Sequence, residues 1–207
     1  MLRKHPSVVY WLDDRLYLNI TNRCSNDCYF CLRRFKAGVG NFNLRLRGEP
    51  LVKEVVRALQ RVVGRRRWGE IVFCGFGEPL ERLDCVLEVA DWVKSCRGNA
   101  VRVDTNGQGY LLNAGRDVVG ELREAGVDRV SISLNAHDEA TYNLVCRPRL
   151  EGAFEGALGF VEKAKEAGLE VQVTVVRIPE VDVGKVREMA ERMRVGFRVR
   201  ECVPCIW

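Results

Sequence analysis

Short β-branched runs alternate with longer stretches of helical period along the 207-residue chain. Residues 16–20, 70–74, 100–104, 129–134, 170–176 and 197–200 read as strands, each followed by a loop with Gly, Asn or Asp. Between them, 50–64 carries Leu51, Val55, Val56, Leu59, Val62 and Val63 at helical spacing. The stretch 80–96 sets Leu83, Leu87, Ala90 and Val93 on one face and Glu81, Glu88 and Lys94 on the other. Segments 113–125, 151–167 and 183–193 repeat the theme, with Gly126 and Gly168 where helix C-caps are expected. Strands alternating with helices imply parallel pairing through right-handed crossovers. A doubly wound open sheet and a barrel-like one both satisfy the pattern. In either, a site forms at the C-terminal ends of the strands, so the residues just after each strand carry the functional information.

Length and composition narrow the class. A chain of this size without low-complexity linkers fits one domain over 1–207. With 47% hydrophobic and 29% charged residues it reads as a globular protein. No apolar run approaches the roughly 18 residues needed to span a bilayer, so no membrane partner is expected. The N-terminus meets Asp13-Asp14 before any apolar core, which argues against a signal peptide and for a cytoplasmic location. The net charge of +5, with Arg45-Leu46-Arg47 and Arg65-Arg66-Arg67, reads first as solvated surface and permits a polyanionic substrate. Nine cysteines without a secretory signal shift attention from disulfides to ligand spacing.

That spacing follows the first strand, in Thr21-Asn22-Arg23-Cys24-Ser25-Asn26-Asp27-Cys28-Tyr29-Phe30-Cys31. Three soft, anionic thiolates at C-x3-C-x2-C in a polar loop suit one corner of an iron–sulfur cubane and leave one iron open. The competing readings are a zinc site, which lacks a fourth ligand because neither His5 nor His137 has a companion at finger spacing, and three cysteines with no metal. C-x3-C-x-aromatic-C, with Phe30 as the aromatic, resembles the radical S-adenosylmethionine (SAM) superfamily. The resemblance runs from about Leu16 to Arg200 and selects the barrel: a partial (β/α)6, TIM-like fold.

The later strand ends are read with that resemblance beside them. Gly75 and Gly77 let the backbone pass close to a ligand, and Glu78 adds a carboxylate. The family's Gly-Gly-Glu-Pro, which receives the SAM amino group, is similar to Gly75-Phe76-Gly77-Glu78-Pro79, with Phe76 as a departure. Thr105 and Asn106 resemble a turn near SAM and offer a hydroxyl and an amide. Ser133 and Asn135 alternate to one side of the fourth strand's end and by resemblance face ribose and methionine. Arg147 looks like the arginine that grips the SAM carboxylate by two parallel bonds. Val175, with Val176 beside it, is implied as adenine packing. Cys74, Cys85, Cys96 and Cys146 read as small core or helix residues. Cys202 and Cys205 form a C-x2-C pair that cannot close a tetrahedral site alone.

The cofactors implied are a [4Fe-4S] cluster and S-adenosyl-L-methionine. The activity implied is reductive cleavage of SAM to a 5′-deoxyadenosyl radical that abstracts hydrogen from a substrate. An electron donor such as ferredoxin or flavodoxin is implied as a partner. A chain of core-barrel length implies an open mouth, suited to a macromolecular substrate or to closure by a partner or a dimer. Within the superfamily the sequence most resembles the TatD-linked radical SAM proteins. Glycyl-radical-enzyme activation and RNA modification are alternatives within the resemblance. From another class, a non-enzymatic iron–sulfur electron carrier would need a fourth cysteine near the triplet, and none lies between Cys31 and Cys74.

Overall fold

Alternation along the strands decides the architecture. In chain order the strands are β1 (Val9–Leu12), β2 (Arg15–Leu18), β3 (Gly38–Val39), β4 (Phe42–Asn43), β5 (Glu70–Phe73), β6 (Ala100–Thr105), β7 (Arg129–Ser133), β8 (Glu170–Arg177) and β9 (Gly196–Glu201). The helices are α1 (Val52–Val63), α2 (Leu83–Cys96), α3 (Gly109–Leu112), α4 (Val118–Glu124), α5 (Glu139–Cys146), α6 (Ala153–Glu166) and α7 (Val183–Met193). This computed structural model describes residues 5–202. The main sheet runs β1-β2-β5-β6-β7-β8-β9, parallel except for the antiparallel β1–β2 pair. It curls without closing, a partial TIM-like barrel.

Residues of one parity pack against the helices. Leu16 is paired with Ile71 and Ile71 with Val101, Phe73 with Val103, Ile132 with Val173, and all are fully buried. Val55 and Leu59 of α1, Val86, Val89 and Val93 of α2, and Phe160 of α6 complete that core. Each such side chain contributes about 1.5–3 kcal/mol of transfer free energy. The other parity places polar residues inside the curl. Ser133 pairs with Thr174 and Thr174 with Arg198, which sets three polar residues side by side. Near the strand starts, buried Glu70 is held by Arg102 at 2.8 Å, Arg129 at 3.3 Å and Arg15 at 3.5 Å. That satisfies a carboxylate that would be costly to bury alone.

The six expected parallel strands are present, with no bound shifted by more than two residues. Gly126 (φ 87) and Gly168 (φ 76) end α4 and α6 as expected, each with the paired 5→2 and 6→1 bonds of a Schellman turn. Three features differ from the sequence reading. The stretch 113–125 is not one helix: Gly115 at φ 81 separates α3 from α4, and helix resumes behind the Asp117 cap. A hairpin adds β1 as an edge strand, turning at Asp13 (φ 51). α5 is an additional helix, capped by the Asp138 carboxylate accepting from Thr141 N–H.

Candidate functional site

A cavity of about 470 Å³ opens at the C-terminal ends of the strands. That is the size of a small-molecule site. Cys24, Cys28, Phe30 and Cys31 line one end of it. The loop that carries them is built onto the end of α5, whose last carbonyls have no partner within the helix. Asp27 N–H donates to the carbonyls of Cys146 and Arg147, and Tyr29 N–H to that of Val145 at 3.2 Å. Arg149 N–H donates to Ser25 O at 2.9 Å, and its guanidinium donates to Cys24 O. Beneath the loop lies a buried polar cluster: Asn26 Nδ2 donates to Tyr142 Oη at 3.0 Å, and Gln108 Nε2 to Asn26 Oδ1 at 2.7 Å and Tyr142 Oη at 2.9 Å. The loop's geometry is therefore set by protein contacts.

The glycine turn presses on this loop from the other side. A Cβ on Gly77 would stand 2.4 Å from Arg23 O and 2.6 Å from Thr21 O, and one on Gly75 would stand 2.1 Å from Asn19 Oδ1. Phe76 between them is buried with Tyr10, Phe42 and Leu44, so it anchors the β3–β4 hairpin. Glu78 N–H donates to Arg23 O at 2.7 Å. Its buried carboxylate accepts from Thr105 Oγ1 (2.7 Å), Asn106 N–H (2.7 Å) and Leu80 N–H (3.1 Å), three of about four acceptor positions. Burial outweighs these bonds and pushes the Glu78 carboxyl up to about 7. Asn106 joins the two halves of the site. Its backbone holds Glu78, while its side-chain Nδ2 donates to Ser25 Oγ at 2.8 Å and approaches Cys24 Sγ at 4.0 Å.

Further along the sheet, Ser133, Asn135, Thr174, Val176, Arg198 and Arg200 line the cavity. Asn135, at φ 56, accepts from Val176 N–H at 3.0 Å and so pins the ends of β7 and β8 together. Arg200 Nη2 donates to Ser133 Oγ at 3.0 Å and reaches Asn135 Oδ1 at 3.5 Å. Thr174 Oγ1 and Arg200 Nε are buried without a hydrogen-bond partner among the described residues.

The structure thus brings together Cys24, Cys28, Cys31, Phe30, Gly75, Gly77, Glu78, Thr105, Asn106, Ser133 and Asn135. It does not bring Arg147 or Val175 with them. Arg147 is exposed at the end of α5 (φ 49), over the Tyr29 ring, and borders a separate shallow depression. Val175 is fully buried on the helix-facing side, because strand parity gives the cavity to Thr174 and Val176. Cys74 lines the cavity, and Cys96 is exposed at the end of α2. Cys85 and Cys146 are buried as expected. Cys202 lines the cavity and is disulfide-bonded, while Cys205 lies outside the described residues. Sequence reasoning missed Arg198 and Arg200, whose alternation on β9 was the available signal.

The donor set fits an iron–sulfur cluster with a small molecule beside it. Burial, with the Glu78 charge nearby, pushes the Cys24 thiol up to about 12, and burial raises Cys31. A hydrogen bond with Cys146 pulls Cys28 below the ordinary thiol value. Bound metal deprotonates such thiols outright, so loading releases protons. Among the described residues, no three His, Cys, Asp or Glu side chains converge as ligands of a single ion do. The zinc reading gains nothing from the geometry, whereas thiolates on three separate irons need no such convergence. The orphaned Thr174 hydroxyl and Arg200 Nε supply polar atoms for a ligand in the remaining space. No described helix is long and apolar enough to cross a membrane.

Comparison with known proteins agrees with this geometry. The family model described as the radical SAM superfamily matches residues 18–193. The GTP 3′,8-cyclase of Rhodopirellula baltica is 32% identical over 158 residues, covering 76% of this chain and 40% of that protein. The probable GTP 3′,8-cyclase of Methanocella arvoryzae is 29% identical over 180 residues, covering 86% and 52%. The chain spans about half the length of these curated relatives or less. Among solved structures, methylornithine synthase (PylB) superposes with a TM-score of 0.62 at 16% identity, covering 91% of this chain and 53% of that one. Streptococcus suis SuiB bound to S-adenosylmethionine gives 0.64 at 16% identity, covering 90% and 38%. At such identity these two speak for the fold alone.

Proposed function

The chain belongs to the radical SAM superfamily, and from that premise we propose that Cys24, Cys28 and Cys31 hold its cluster and that Glu78, Thr105, Asn106, Ser133 and Asn135 orient SAM for hydrogen abstraction from a substrate. It is a radical SAM enzyme whose cofactors are a [4Fe-4S] cluster and S-adenosylmethionine. Together, when bound, these supply a 5′-deoxyadenosyl radical; the protein contributes binding, orientation and exclusion of water.

Each contribution falls to named residues. The cysteine loop presents three thiolates. Glu78 keeps an acceptor position for the amino group of methionine, while Thr105 and Asn106 fix its carboxylate in place. Gly75 and Gly77 keep that turn against the loop. Ser133 and Asn135 offer polar atoms farther along the wall, and Val176 gives an apolar surface for the adenine. Phe30, 8% exposed, shields the cysteine end from water. The single observation that carries the reading is Asn106, which ties the carboxylate of Glu78 and the cysteine loop into one rigid unit.

The names of the relatives support a purine nucleotide as the substrate class, in preference to the protein backbone that a glycyl-radical activase attacks. RNA modification would share the nucleotide chemistry. The grouping with the TatD-linked proteins rests on sequence motifs alone, and the relatives named above do not support it. We further propose that 1–207 forms one radical SAM core domain served by a ferredoxin- or flavodoxin-like donor. The test is anaerobic: reconstituted protein with SAM and dithionite should form 5′-deoxyadenosine. Absence of that product at full iron loading overturns the reading.

A further inference from the structure

Two arginines inside the curl lack the counter-charge that their position calls for. Arg198 and Arg200 stand two residues apart on β9, so both face the cavity. Among the described residues neither lies within ion-pair distance of a carboxylate. Arg200 spends Nη2 on the neutral oxygens of Ser133 and Asn135, and its buried Nε has no hydrogen-bond partner among the described residues. The nearby Asp104 is engaged by Arg102 Nε at 2.8 Å, and Glu201 pairs with Arg177 at 3.1 Å. Burial pulls the Arg200 guanidinium below its ordinary value, which reports the unmet cost of this charge. Arg102, by contrast, is neutralised by Glu70 and Asp104. On the neighbouring strand Thr174, which pairs with Arg198 in the sheet, offers a buried hydroxyl that has no partner among the described residues.

From these observations we infer that Arg198, Arg200 and Thr174 form an oxyanion-binding subsite on the β8–β9 wall of the cavity. It lies across the sheet from Glu78, which follows β5. A guanidinium with a free Nε and a fixed plane suits a phosphate or carboxylate that accepts two parallel bonds, and a hydroxyl beside it adds a third. The inference rests on the reading of the cavity as the site of SAM and substrate. The occupant inferred is a phosphate of the substrate; the methionine carboxylate of SAM is the competing occupant that the experiment separates from it.

The experiment uses cluster-loaded protein and calorimetric titration with three probes: SAM, decarboxylated SAM, and inorganic tripolyphosphate added after SAM has saturated the protein. Variants are Arg198→Gln, Arg200→Gln and Arg200→Lys, with melting curves to confirm folding. If the oxyanion is a substrate phosphate, tripolyphosphate binds the SAM-saturated protein. Arg198→Gln or Arg200→Gln then weakens it about tenfold or more, while SAM affinity moves less than threefold. If Arg200→Gln instead weakens SAM by a similar factor, leaves decarboxylated SAM unchanged, and tripolyphosphate does not bind, the arginines serve the SAM carboxylate and the inference is overturned. Arg200→Lys restores only part of the loss of tripolyphosphate binding, because an ammonium lacks the fork. Where Arg200→Gln fails to fold, Arg198→Gln, at an exposed position, decides the matter. Unchanged affinity for all three probes in Arg198→Gln and any folded Arg200 variant overturns the inference. 5′-deoxyadenosine formed by the wild type in the same samples would leave the parent reading standing; its absence would remove both.

Discussion

Gly77→Ala tests whether the glycine turn and the cysteine loop are one packed unit. The new methyl carbon would stand 2.4 Å from Arg23 O and 2.6 Å from Thr21 O. Both atoms are backbone, so no side chain can swing away. The turn must back off by roughly half an ångström or more, an overpacking cost of about 1–3 kcal/mol. The same movement stretches the 2.7 Å bond from Glu78 N–H to Arg23 O, worth about 1 kcal/mol. A total near 3 kcal/mol corresponds to a melting point about 6–12 °C lower for a chain of this size. Gly64→Ala is the control: φ is −82 there and nothing lies within 4 Å of the added carbon. That change should be neutral or slightly stabilising, by less than about 1 kcal/mol. Thermal melts of the cluster-free proteins give the first readout, and iron and sulfide content after reconstitution gives the second. Gly77→Ala should melt lower and load less iron. A melting point within about 2 °C of wild type, with full iron loading, would refute the argument that these backbone contacts set the site.

Further outcomes follow from the same contacts. Serine in place of Cys24, Cys28 or Cys31 should each abolish the cluster's visible absorption while leaving the fold intact by circular dichroism. Because Glu78 has its pKa raised to about 7, the native state holds a proton that the unfolded chain releases near 4.5. Stability of the cluster-free protein therefore falls as pH rises between these values, by up to about 3 kcal/mol from this group. Urea titrations across that range should show this slope diminished in Glu78→Gln. Tyr142→Phe removes the oxygen that accepts from Asn26 and Gln108, leaving buried donors unpaired at about 1–3 kcal/mol; the midpoint in urea should drop, and chelators should strip iron faster than from wild type.

What could be read from the sequence depended on whether a feature was local. Three thiols within eight residues declare themselves, as does a carboxylate behind two glycines after a strand. The six parallel strands were visible because period-two runs are local too. Strand parity was harder: Val175 and Val176 are chemically alike, and only register with Ser133 and Thr174 tells which faces inward. Arg198 and Arg200 alternate as the solvent face of an edge strand would, and it is the curvature of the whole sheet that turns that face into a cavity wall. α5 has only Tyr142, Val145 and Cys146 buried among its eight residues, too short an apolar stripe to stand out. Its capping Asp138 was the local sign that it begins there. Arg147 was drawn toward the site by motif likeness, but the left-handed turn that ends α5 sends it outward.

The seating of the cysteine loop on the end of α5 bears on the life of the protein after damage. Oxygen strips exposed iron–sulfur centres, and a domain that folds around its metal collapses when the metal leaves. Here Asp27, Tyr29 and Arg149 bind the loop to carbonyls and backbone that do not depend on iron. The entropy of shaping the loop is met when the chain folds, not when the cluster arrives. A stripped molecule would thus be a repairable one, open to a fresh cluster without passing through the unfolded state.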